Sequence, residues 1–144
     1  IQIERPDRPG GVLFDNMTAL DNLCTSLIPK AGQHIIRKKI VSSILSEALR
    51  WFPKEMLLQP LSSWSYPERL RFSYYRWYLL NPKPLICFFP FAGQESTHHK
   101  MIIDLLVLCA QRGMAVWIIS SGIDAICEKT DNEEFLRRLH YLNK

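Results

Sequence analysis

Pro84-Leu85-Ile86-Cys87-Phe88-Phe89 is an unbroken apolar run closed by Pro90, and Met114-Ala115-Val116-Trp117-Ile118-Ile119 is a second. Neither alternates apolar with polar residues, which is how a strand covered on both faces of a parallel sheet reads. Between them, Ser96 to Arg112 carries Ile102, Leu105, Leu106, Cys109 and Ala110 at helical spacing. Gly113 follows, at the place where helices commonly end in a left-handed residue. A strand, a helix and a strand of these lengths make a βαβ unit. The two strands are then expected to be parallel neighbours with a right-handed crossover. This pattern commits the second half of the chain to an α/β fold.

The first half reads differently. Arg5-Pro6-Asp7-Arg8-Pro9-Gly10-Gly11 is loop chemistry, so residues 1–11 are expected to be irregular. Thr18 is suited to cap a helix over about 18–28, with Asp21 three residues on, and Pro29-Lys30-Ala31-Gly32 stops it. Ile36, Ile40, Ile44, Leu45, Ala48, Leu49 and Phe52 then recur at helical spacing, predicting a helix over about 33–52 that ends at Pro53. Residues 53–65 read as a connector. Ser65 is placed to cap the next helix, over about 66–80, with Pro67 in its first turn and Asn81-Pro82 as its stop.

Hydrophobic residues make up 47% of the 144, which is enough for a packed core. The formal net charge is +4, and the basic residues are scattered apart from Arg37-Lys38-Lys39 and Arg69, Arg71 and Arg76. Solvated helix faces account for both groups, and no nucleic-acid-binding module accompanies them. The cysteines, Cys24, Cys87, Cys109 and Cys127, have no C-x-x-C spacing and apolar neighbours, so buried free thiols in a reducing compartment are expected. No apolar run reaches the roughly 18 residues of a membrane span, and no signal peptide is recognisable. A cytoplasmic chain is the expectation.

The order of elements between Trp64 and Asp131 resembles the second half of an ABC transporter ATP-binding domain, most closely the sugar-importer type. That family has a signature helix ending in K-W-L-L-x-x-P-K, matched here by Arg76-Trp77-Tyr78-Leu79-Leu80-Asn81-Pro82-Lys83. Its Walker B strand, L-I-L-D-E-P, falls on Leu85 to Pro90. Its later strand, G-x-A-V-I-x-I-S-S-E, falls on Gly113 to Ser121. Upstream, Pro6-Asp7-Arg8 with Gly11-Val12-Leu13-Phe14 is a loose match to the family's loop after the glutamine-bearing strand. Met17-Thr18-Ala19-Leu20-Asp21-Asn22-Leu23 is a closer match to its M-S-V-x-D-N-L.

The resemblance implies a partial P-loop ATPase core, with a helical subdomain at residues 1–80 including the N-terminal loop and the α/β part at 81–144. It also marks where catalytic letters are replaced. The Walker B Asp-Glu positions hold Phe88 and Phe89. The signature L-S-G-G falls on Trp64, Ser65, Tyr66 and Pro67. The D-loop aspartate position holds Glu95, and the switch histidine position holds Ser121. No G-x-x-x-x-G-K-S/T loop occurs in the 144 residues. The family places that loop upstream of its helical subdomain, which would put it before residue 1.

Magnesium takes hard oxygen ligands, and the hydrolytic water needs to be positioned by a base. Two phenylalanines supply neither, and both rings are expected to be packed core. Pro67 has no N–H to offer a phosphate. No catalytic residue is assigned, no metal site, and no cofactor, ATP and Mg²⁺ entering only if a partner domain or upstream residues supply the groups. His98 and His99, being adjacent, point about 100° apart on a helix and do not chelate one ion together. Phe72, Tyr74, Tyr75, Trp77 and Tyr78 exceed what one helix face buries, so an exposed remainder is expected to serve as a contact surface.

The expectation is a domain that does not hydrolyse ATP and acts by protein contact in an import system or its regulation. Its partners would be a transporter permease, a partner ATPase domain or a second copy. The alternative is a sensor module on the same scaffold, fused to a DNA-binding output domain. Gly122 to Lys129 is expected to be a short helix. Asn132 to Lys144 also fits a helix through Phe135, Leu139 and Leu142, where the family instead has a strand.

Overall fold

The apolar runs are strands, β2 at Leu85–Phe88 and β3 at Val116–Ile119, in the computed structural model, which describes residues 2–4, 13–27, 34–91, 95–119 and 140–141. They pair in parallel with Leu85 opposite Val116 and Phe88 opposite Ile119, as the βαβ pattern requires. The intervening helix, Ser96–Gln111, buries Ile102, Leu105, Leu106, Cys109 and Ala110, the five residues its spacing predicts. In chain order it is α5, after α1 (Ala19–Leu27), α2 (His34–Ala48), α3 (Lys54–Leu57) and α4 (Tyr66–Leu80).

Two further strands, β1 at Gln2–Glu4 and β4 at His140–Tyr141, complete a four-stranded sheet in the order β1-β2-β3-β4, with every pair parallel. The first corrects the sequence reading and the second decides between its alternatives. Gln2–Glu4, expected as loop, is β1 and pairs with Leu85 to Cys87. His140–Tyr141, which fits a helix by spacing and a strand by the family resemblance, is the strand β4 and pairs with Trp117 and Ile118. Stretches of three and two residues are too short to show a period. What makes them strands is the backbone pairing offered by β2 and β3, which satisfies N–H and C=O groups whatever the side chains are.

Burial in β2 and β3 also departs from the expectation. Leu85, Cys87, Val116 and Ile118 are fully buried, whereas Ile86, Phe88, Trp117 and Ile119 are half-buried. The paired register puts each set on its own face. The sheet therefore has one sealed and one partly open face, although the sequence is apolar on both.

The chain divides into two compact units, Leu13–Tyr66, and Ile1–Val12 with Pro67–Lys144. Nearly all of α4 thus groups with the sheet, not with the helical residues before it as a boundary at residue 80 had placed it. Helix α4 buries Leu70, Phe72, Ser73, Tyr74, Tyr75, Arg76 and Trp77. A helix apolar around most of its circumference is an interior helix, so of the five aromatics expected to leave an exposed remainder only Tyr78 is partly exposed. Arg76, read as part of a solvated face, is buried with its guanidinium 4.6 Å from the centre of the Trp77 ring. Next to it, near the C-terminus of the helix, Arg112 donates a hydrogen bond of 2.8 Å to the Tyr78 carbonyl and lies over the Tyr78 ring. This caps one of the carbonyls that a helix C-terminus leaves without an intrahelical donor.

The helical unit is stitched by backbone bonds between Asp15–Ala19 and Gln59–Ser62. Ala19 N–H donates to the Gln59 carbonyl, Leu61 N–H to Met17 and Ser62 N–H to Asp15. The residues read as a connector at 53–65 contain α3 and a 3-10 turn at Leu61–Ser63. Thr18 caps α1 as its sequence predicts. Its hydroxyl accepts from Asp21 N–H at 3.1 Å and donates to the Asp21 carboxylate at 2.6 Å. Asn22 fixes the entering chain. Its buried side chain accepts from Phe14 N–H at 2.8 Å and donates to the Phe14 and Thr18 carbonyls, both at 3.0 Å. Around these bonds pack Ala19, Leu23, Ile44, Ala48, Phe52, Leu57, Leu61 and Trp64, with the Phe52 and Trp64 rings 5.5 Å apart.

Two substitutions test this account. Asn22→Ala leaves the part-buried Phe14 N–H without its side-chain acceptor, while the Phe14 and Thr18 carbonyls keep the Met17 and residue 22 N–H groups, and it is expected to cost about 1–3 kcal/mol. A denaturation midpoint equal to wild type would show that the clamp is unimportant. At the end of α5, Gly113 N–H donates to Ala110 and Met114 N–H to Cys109, a Schellman closure that needs the positive φ of 81° at Gly113. A Cβ there would meet nothing within 4 Å, so Gly113→Ala isolates the cost of the dihedral. That cost is expected to be about 1–2 kcal/mol in urea unfolding.

Candidate functional site

Open parallel α/β sheets present ligands at the carboxyl ends of their strands. Here that edge includes the end of β2, where Phe88 is half-buried and Phe89 is 42% exposed. The expectation of two packed rings is corrected: neither is part of the sealed face. Phe88 falls on the partly open side of the sheet. Phe89 lies just past the strand, its N–H donating at 2.7 Å to the Ile119 carbonyl and so extending the ladder by one bond. Its φ is 45°, in the left-handed region that a bulky side chain adopts at a cost of about 1–2 kcal/mol. Asn81, with φ 46°, is the other such residue among those described; it too precedes a proline and ends α4. The residue before a proline is disfavoured in the right-handed helical region, so both chain reversals around β2 are made at an X-Pro step.

Beyond the strand, Phe91 makes an edge-on contact with the His99 ring, the centroids 5.1 Å apart. Glu95 is the residue before α5, with extended backbone dihedrals and no side-chain bond to the helix; it is exposed. A carboxylate there is favoured by the positive end of the helix. His98 and His99 are half-buried in the first turns of α5. Among the described residues no three His, Cys, Asp or Glu side chains gather in a way that could hold a metal ion.

The test of fit for a magnesium-nucleotide is chemical. The ion requires carboxylate, carbonyl or phosphate oxygens. The side chains at the end of β2 are hydrocarbon, so these residues do not fit the group, and no hydrolytic step can be routed through them.

Of the other sequence-selected positions, Trp64 is buried, Ser65 and Tyr66 are exposed, and Pro67 is half-buried in the first turn of α4. Ser65 directly precedes that helix, as expected of a capping residue. The division of the chain assigns Trp64, Ser65 and Tyr66 to the helical unit and Pro67 to the sheet unit. Ser121, Cys127, the short helix at 122–129, and Ala92 to Gln94 lie outside the described residues. Sequence reasoning missed the positive φ of Phe89. The only signal for it was the proline that follows.

Cys87 and Cys109 are buried free thiols and Cys24 is half-buried. Burial pushes the Cys109 thiol from 9.0 to about 12, against the smaller opposing pull of the Arg112 charge. Cys109 is thus a packing residue of α5 and not a nucleophile.

Comparison with solved structures places the architecture. The chain resembles a dimeric structure of a post-hydrolysis state of the ATP-binding cassette MJ0796 bound to ADP and Pi. The TM-score is 0.54 and the identity 18%, covering 99% of this chain and 59% of that one. A second dimeric structure of MJ0796, described as a bacterial ABC transporter cassette, matches with a TM-score of 0.52 and 18% identity, over 91% of this chain and 54% of that one. No protein-family model and no curated protein matches the sequence. The fold is therefore like that of an ABC-type ATP-binding cassette. This chain spans somewhat over half the length of the cassettes it matches. Among the described residues no helix is long and apolar enough to cross a membrane.

Two measurements test the site. Phe89→Glu places a carboxylate at an exposed position and is expected to change stability by about 0.5 kcal/mol or less, as surface substitutions do. A large drop in melting temperature would show that the ring is core after all. For Cys109 the unfolded thiol ionises first, above pH 9.0, while the folded thiol stays neutral to about 12. Its contribution is therefore complete below pH 9.0 and is lost as pH rises through that window. Stability should fall less steeply over that range in Cys109→Ala than in wild type; equal slopes would refute the assignment.

Proposed function

We propose that this domain is a catalytically silent, ABC-type cassette that supports or regulates a sugar-type import assembly by protein contact. The observation that carries the proposal is Phe88-Phe89 at the carboxyl end of β2, where a cassette ATPase holds its magnesium and orients water with carboxylates. On this reading Phe88 and Phe89, the Trp64 to Pro67 segment, Glu95 and Ser121 are vestiges of catalytic motifs. Any ATP and Mg²⁺ would depend on groups supplied by a partner domain or by residues outside these 144.

Protein contact is supported by where apolar surface is exposed. Among the described residues the large exposed hydrophobics are Phe14, Leu49, Leu58, Tyr66 and Phe89, and all but Phe89 belong to the helical unit. Exposed aromatic and aliphatic side chains of this size are the groups that anchor protein interfaces. The MJ0796 cassettes are dimeric. A partner ATPase domain, a second copy of this chain or a transporter permease is the corresponding partner here. The domain would then lie on the cytoplasmic side, held to the membrane through that permease.

The purified domain incubated with MgATP is expected to release phosphate no faster than a buffer control. Steady release that is abolished by a substitution within residues 64–95 would overturn the proposal, because it would place a working site among residues read here as vestigial.

A further inference from the structure

We draw no further inference here: the strongest candidate, the exposed Phe89 ring held at positive φ at the carboxyl end of β2 beside the Phe91–His99 contact, carries nothing because nothing in the structure shows what covers it.

Discussion

The sheet depends on the backbone of one strand. β2 pairs with β1 on one side and with β3 on the other, so its four residues set the register of both neighbours. The strand is bracketed by Asn81-Pro82 and Phe89-Pro90, two places where the chain turns through the left-handed region. Leu85 and Cys87 fill the sealed face and meet Val116 and Ile118 at the same level. At roughly 1.5–3 kcal/mol for each large apolar side chain removed from water, this face outweighs the local cost of the Phe89 backbone. A strained residue persists only where its surroundings determine its conformation. Here the ladder bond to Ile119 and the buried Pro90 do so.

The helical unit is held by a different device. Its first turn is tied to residues 59–62 by backbone bonds and to α1 by the amide of Asn22. The Thr18–Asp21 cap satisfies N–H groups at the start of α1. The rigid turn that results displays Phe14 with its N–H and C=O both engaged, while its ring remains exposed. An aromatic side chain on a fixed backbone loses little entropy on docking. Contact as the proposed working mode is therefore favoured by this unit more than by helix α4, where Phe72, Tyr74, Tyr75 and Trp77 are buried, Tyr78 is half-buried and only Tyr66 at its start is exposed.

The catalytic question turns on side-chain chemistry and not on architecture. A fold of this class can be complete in its sheet and helices and still lack the groups that its reaction needs. At the end of β2 the described side chains, Phe88 and Phe89, are hydrocarbon. Fold likeness accordingly says nothing about turnover, and the identity of two residues carries the functional argument.

How much was legible beforehand follows from the range of the forces involved. Three helix positions were legible: α1, α4 and α5 lie within a residue or so of where caps, prolines and apolar spacing put them, whereas α2 ends at Ala48, short of the expected stop at Pro53, and α3 falls in the stretch read as a connector. The parallel pairing of β2 and β3 was legible too, since a strand, a crossover helix and a strand leave few alternatives. The replacement of carboxylates by Phe88 and Phe89 was visible as plain sequence. Tertiary structure alone decided the rest. β1 and β4 are strands because another strand lies beside them, and nothing in two or three residues announces that. Phe89 is exposed, and Arg76 buried, because packing and chain reversal decide which residues reach the interior. Sequence determines which residues would lower their free energy by burial; the space available on each face of a folded sheet determines which of them are buried.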